Sequence, residues 1–132
     1  MKNNFKPGDQ QSYVYTIKDS DAASFHGETV HKVCSTFSLA REIEWCSRLF
    51  VLEMKEENEE GVGTHLQVDH HAPAFLGEQI TLTATVKTLV KNELICTYEV
   101  KAGDRLIASG ETGQKIINSE KLKRLFDPNG KK

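Results

Sequence analysis

SLAREIEWCSRLFVLEMK, residues 38–55, is the stretch on which the fold turns. It contains neither glycine nor proline, and Leu39, Ile43, Cys46, Phe50 and Met54 recur at steps of three or four, the spacing that one face of an α-helix requires. Ser35, Thr36 and Ser38 stand ahead of it as candidate N-caps, because each can accept a hydrogen bond from a free N–H of the first turn. The charged run KEENEEG, residues 55–61, closes the pattern, and Gly61 and Gly63 open the next element.

Away from this helix the period drops to two. Upstream, YVYTI (Tyr13 to Ile17) is aromatic and β-branched and reads as a first strand, after a Pro7-Gly8 turn. Downstream, four alternating sets predict four strands: Val62, Leu66 and Val68; Ile80, Leu82, Ala84 and Val86; Leu94, Cys96, Tyr98 and Val100; Leu106 and Ala108. Lys91-Asn92 and Gly103-Asp104 sit where hairpin turns belong, and Pro73 to Gly77 make a longer connection. Lys18 to Cys34, with His26, Gly27 and His31, has no clear period and reads as a lid-like loop or a short helical turn. The sum is one α+β domain over residues 1–132 whose antiparallel sheet wraps one long helix, with poorly ordered tails expected at 1–10 and 127–132.

Composition narrows the class. With 132 residues, 38% of them hydrophobic, the chain can bury one core. A formal charge of −2 gives no basic field for nucleic acid or an anionic membrane, and the KLKR run at 121–124 reads as a solvated tail. Cys34, Cys46 and Cys96 are odd in number and form no CxxC pair, which fits a reduced, cytoplasmic interior. No apolar run approaches the roughly 20 residues that span a bilayer, and MKNNFKPGDQQ lacks the apolar stretch of a signal peptide.

Three polar residues in apolar surroundings carry the chemistry. At about 100° per residue, Glu44 falls at the edge of the apolar stripe beside Ala40 and Val51; it is either a desolvated carboxylate suited to act as a base or the i,i+4 partner of Arg48. Strand parity puts His70 on the core side with Val62, Leu66 and Val68, as a structural residue or as an imidazole oriented by a carboxylate on the neighbouring helix. Thr36 is a helix cap or a hydroxyl that takes part in the chemistry. Eight residues along one straight helix separate Thr36 from Glu44 by about 12 Å, so either the segment before Ser38 folds back or two subunits share a site. Gly63-Thr64 opens the His70 strand with a residue that lets a ligand approach the backbone. His65, His70 and His71 do not make a metal site, since His70 and His71 face opposite ways and no second carboxylate or thiolate lies at ligand spacing.

A helix led by a threonine, the run Ile43-Glu44-Trp45-Cys46, the opening Val62-Gly63-Thr64 and the strand end Val68-Asp69-His70-His71-Ala72 together resemble the hot-dog fold thioesterases, most closely the fluoroacetyl-CoA thioesterase family. The resemblance covers roughly residues 33–117, and its Thr, Glu and His stand eight and then twenty-six residues apart, as they do here. It implies a homodimer, or a dimer of dimers, with two sites at the interface, and hydrolysis of an acyl-CoA thioester to the acid and free CoA. No cofactor is implied, because CoA is part of the substrate. By position, Thr36 would orient or activate the nucleophile, Glu44 would attack the thioester or activate water, and His70 would act as base and polarise the carbonyl. Gly63 and Thr64 would bind substrate, with the Gly63 backbone lining the acyl pocket. Two departures stand out: Ala22 to Val33 does not match that family's lid, and Gln114 and Lys115 stand where an arginine is expected.

Two other readings follow from the same fold. A non-catalytic hot-dog module would bind acyl-CoA as a sensor, without turnover. A hot-dog hydratase would need Asp and His about five residues apart, whereas Asp69 and His70 are adjacent and face oppositely.

Overall fold

The computed structural model describes residues 1–129. The long helix, α1, runs over Thr36–Met54, and its five predicted core residues, Leu39, Ile43, Cys46, Phe50 and Met54, are all buried. Each such side chain removed from water contributes roughly 1.5–3 kcal/mol. Of the three candidate caps Ser35 is the one used, its hydroxyl accepting from the Ser38 N–H at 3.0 Å. The helix therefore begins two residues earlier than its apolar period implies, and Thr36 is its first residue.

The strands are β1 (Gln10–Thr16), β2 (Ala22–Phe25), β3 (Glu28–Cys34), β4 (Glu59–Leu66), β5 (Asp69–His70), β6 (Gln79–Val90), β7 (Glu93–Ala102) and β8 (Arg105–Asn118); a second helix, α2, covers Ser119–Phe126. The main sheet is antiparallel in the order β1-β6-β7-β8-β4, with β5 also paired to β8, and it curls around α1. Its inner face supplies Ile80, Leu82, Ala84, Val86, Leu94, Cys96, Tyr98 and Val100, all buried, as their alternation predicts. The two-residue turns at Lys91-Asn92 and Gly103-Asp104 are present, with positive φ at Lys91 and Gly103.

Four expectations need correction. The Lys18 to Cys34 stretch is neither loop nor single helical turn: a 3₁₀ turn at Asp19–Asp21 leads into the separate hairpin β2-β3, which turns at His26-Gly27. Most of β3 is exposed, so no apolar period marks it. The strand expected from Val62 through Ala72 is broken. Its register slips between Gly63 and His65, and the Gln67 carbonyl then turns inward to accept from Tyr98 Oη at 2.7 Å. Only glycine fits opposite this carbonyl, because a Cβ on Gly110 would lie 2.2 Å from it. The slip and the break destroy the single parity that put His70 with the core, and His70 is exposed in the isolated chain. In β8 a slip beside Leu106 buries Ile107 and Ala108 in succession and leaves Leu106 only half-buried, so the alternation read there fails.

The ends also differ from the tails expected. KLKR lies on α2, capped by the Asn118 side chain, which accepts from the N–H groups of Glu120 and Lys121. Residues 1–10 are tied to the body: the Met1 amino group meets Glu59 at 2.8 Å, and the Phe5 ring packs edge-on against Phe50 at 4.9 Å. Of the tail expected at 127–132, residues 130–132 lie outside the described residues. No helix among the described residues is long and apolar enough to cross a membrane.

Candidate active site

Helix α1 carries two of the three chemical groups, at different levels. At its first turn Thr36 Oγ1 shares a hydrogen bond with His70 Nε2 at 3.1 Å, bringing the helix start to the end of β5. The cleft around this pair is walled by Cys34, Leu39, Ala72, Ala74 and Ile107. Burial pushes the Cys34 thiol up to about 11, so it is protonated at neutral pH and offers no competing nucleophile. His71 also borders this cleft, but its Nε2 shares a 2.8 Å hydrogen bond with Ser109 Oγ rather than with Thr36. Among the described residues no cluster of His, Cys, Asp and Glu could hold a metal.

Thr36 is held from behind. The buried Asp21 carboxylate accepts from Tyr15 Oη at 2.5 Å and from Arg41 Nη2 at 3.0 Å, while the Asp21 carbonyl accepts from the capping residue's N–H, Ser35, at 2.8 Å. Arg41 also pairs with the buried Glu42 at 2.7 Å. Burial works to raise the Asp21 pKa, but the bonds from Tyr15, the Lys18 N–H and Arg41 outweigh it and hold the carboxyl below its ordinary value. Burial and the bond to Asp21 in turn push the Tyr15 phenol up to about 12. The polar pattern of Tyr15, Asp21, Arg41 and Glu42 is scattered over 28 residues of sequence, and only the fold assembles it.

Two turns further along α1, Glu44 occupies a second cleft with Phe37, Trp45, Arg48, Gly63 and Gln114. A Cβ on Gly63 would lie 3.4 Å from Glu44 Oε2, so the carboxylate rests over bare backbone. The alternative that Glu44 pairs with Arg48 is not realised, because Arg48 Nη2 binds Glu60 at 2.9 Å. Among the described residues the Glu44 carboxylate has neither hydrogen bond nor ion pair, and it is exposed rather than desolvated. Thr64 points away from both clefts. Its hydroxyl donates to Glu93 at 3.0 Å, and a Cβ on Gly113 would lie 2.8 Å from its oxygen.

Within one chain, then, Thr36 and His70 are together, Glu44 and Gly63 are together, and the two pairs are not. Since Thr36 and Glu44 share one helix, the folded-back arrangement is ruled out and a rise of about 12 Å separates them. The expected orientation of His70 by Glu44 of the same chain does not occur.

A sheet curled around one long helix, with polar groups near the helix start and on its flank, is the hot-dog fold of the thioesterases. The family model of the fluoroacetyl-CoA-specific thioesterases matches residues 17–120, and the chain belongs to that family, making it a thioester hydrolase. A Thermus thermophilus protein described as a thioesterase superfamily member is 25% identical with a TM-score of 0.89, the match covering 94% of this chain and 92% of that one. A variant of the fluoroacetyl-CoA-specific thioesterase in complex with fluoroacetate and CoA is 20% identical with a TM-score of 0.83, covering 89% and 99%. A hot-dog-like protein from Thermanaerovibrio acidaminovorans is 21% identical with a TM-score of 0.86, covering 97% and 96%. Among curated proteins the chain has no significant match.

Proposed function

We propose that this protein is a homodimeric acyl-CoA thioesterase acting on short or modest acyl groups, with each site built from Thr36 and His70 of one subunit and Glu44 of the other. The observation that carries this reading is the separation itself: a bonded Thr36–His70 pair and an unpaired Glu44 over Gly63 lie on opposite ends of about two helical turns. A twofold axis beside α1 would place the first pair of one chain against the second pair of its partner. β4 favours such pairing, as it is an edge strand bonded only to β8, and the neighbouring Phe37 and Trp45 are left exposed. The related thioesterase complexed with fluoroacetate and CoA supports the substrate class, and three free cysteines suit a cytoplasmic setting.

In this scheme the thioester carbonyl lies between the two half-sites. The hydrogen bond shared by Thr36 and His70 fixes both side chains at the substrate. Glu44 acts on the carbonyl carbon, by direct attack or by taking a proton from attacking water. Where water attacks, the proton that Glu44 takes from it is handed to the sulfur as the carbon–sulfur bond breaks, giving the acid and free CoA. Where Glu44 itself attacks, CoA leaves as the thiolate, and a water whose proton His70 accepts cleaves the acyl–Glu44 anhydride to the acid and the free carboxylate. The bare Gly63 backbone lets the acyl group lie against β4. Thr64 has no part, since its hydroxyl is committed to Glu93 on the other side of the strand.

The test is release of free thiol from a panel of acyl-CoA esters, from acetyl and fluoroacetyl to phenylacetyl and palmitoyl. Glu44→Ala and His70→Ala should each lower turnover by about 10² or more through loss of acid-base help, with unchanged circular dichroism. CoA binding without turnover by the unaltered protein would instead identify the sensor module.

A further inference from the structure

Gln114 is a polar side chain of the Glu44 cleft that neither the proposed reaction nor an ion pair uses, whereas Arg41 and Arg48 beside it are both paired. It is nine-tenths buried, lines the cleft, and its Nε2 has no hydrogen-bond partner among the described residues. Its flanking strands cannot supply one: Gln114 is in register with Gly63 of β4, which has no side chain, and with Leu94 of β7, which is apolar and buried. Thr112, two residues earlier on β8, is buried and equally without a bond at its hydroxyl, so it has not claimed the amide. A buried donor left unmade is costly, and its location in a cleft is where a ligand could complete it.

We infer that Gln114 reads the acyl group, selecting thioesters that carry a neutral oxygen at the third carbon, as a 3-hydroxyacyl or 3-oxoacyl group does. This rests on the thioesterase reading above, which places the reacting carbonyl beside Glu44 and hence above Gly63. Residues paired across antiparallel strands stand about 5 Å apart, and an oxygen on the third carbon reaches that far from the carbonyl carbon once its hydrogen bond is included. The charge of the site excludes the alternatives. A second carboxylate on the acyl chain would face Glu44, and the two arginines that line the cleft are already spent, Arg41 on Asp21 and Glu42 and Arg48 on Glu60, while a cation would meet an N–H donor. A hydroxyl or ketone suits an uncharged carboxamide, whose oxygen can also accept from the hydroxyl.

The test uses non-hydrolysable CoA thioethers in which a methylene separates the sulfur from the carbonyl, so that binding is read without turnover. Calorimetric titration of the unaltered protein should find the analogue of a 3-hydroxybutyryl ester binding about tenfold tighter than that of the butyryl ester, and Gln114→Met should reduce that ratio to about threefold or less. If the Met variant does not fold, Gln114→Leu is read in the same way. A ratio near one in the unaltered protein, or a ratio that survives the substitution, overturns the inference; the second result is also what a carboxamide bonded to the partner subunit would give. The two readings fail separately. Thiol release from the hydrolysable esters with no preference between the analogues removes only the role of Gln114, whereas a Gln114-dependent preference with no thiol release removes the hydrolase and keeps the acyl-reading site. If neither analogue binds, the inference is overturned, and if thiol release is absent as well, both readings are.

Discussion

The Thr36 hydroxyl is left free of capping by its neighbour. Because Ser35 caps α1, the Thr36 hydroxyl is not needed by the helix and turns to His70 instead. From the sequence, the three hydroxyl residues Ser35, Thr36 and Ser38 are equivalent caps; the choice among them depends on the extended backbone of Ser35, which residue type alone does not set. Thr36→Val keeps the shape and removes the hydroxyl, and should lower turnover by about 10² with little change in melting temperature, whereas Thr36→Ser should keep most activity. Steady-state kinetics on the two variants, alongside thermal melts, checks this; equal activity of Val and Ser variants would leave Thr36 a structural residue. Glu44 was legible as a carboxylate on the flank of the stripe, but its surroundings were not. A helical wheel shows neither that Arg48 is taken by Glu60 nor that Gly63 leaves open space above the strand.

At the scale of elements, legibility followed burial. α1, β6 and β7 each bury one clean face, so period alone locates them. The hairpin β2-β3 buries almost nothing, and the slips at Thr64 and Ile107 reverse parity midway through β4 and β8, so none of these leaves a periodic trace. α2 carries no buried residue, and its Leu122, Leu125 and Phe126 keep helical spacing over only eight residues. The 3₁₀ turn before β2 matters most for the site, since Asp21 braces the start of α1. Asp21→Asn should destabilise the fold by about 2 kcal/mol, the lower side of the range for a buried charged partner because Arg41 is half exposed. The sign with pH follows from the lowered folded pKa. Asp21 stabilises the protein fully above the ordinary carboxyl value, near 3.8, and that contribution is lost as pH falls through the lower folded value. Urea unfolding between pH 7 and pH 2 should therefore show a constant difference between the unaltered protein and Asp21→Asn down to about pH 4, and a narrowing one below it. A difference that stays constant down to pH 2 would mean that the carboxylate's charge is not what braces the helix.

At the scale of the molecule, one chain holds a Thr36–His70 pair and a separate Glu44–Gly63 pair, its main sheet ends in the edge strands β1 and β4, and the proposed twofold partner would join the two pairs from the β4 side. The spacing of Thr36, Glu44 and His70 announced a site without saying how many chains build it. The continuous helix keeps Thr36 and Glu44 of one chain apart, because about 12 Å of rigid rod cannot be closed by side chains. The most direct measurement is subunit complementation. Thr36→Ala and Glu44→Ala chains, each inactive alone, are unfolded, mixed in equal amounts and refolded together, and thiol release is followed. With the site shared between subunits, half of the particles are mixed dimers and each holds one intact site, so about a quarter of the unaltered activity should return. Activity no greater than that of the separate variants, with mixed dimers shown to form, would place Thr36, His70 and Glu44 of one chain in one site and contradict the account.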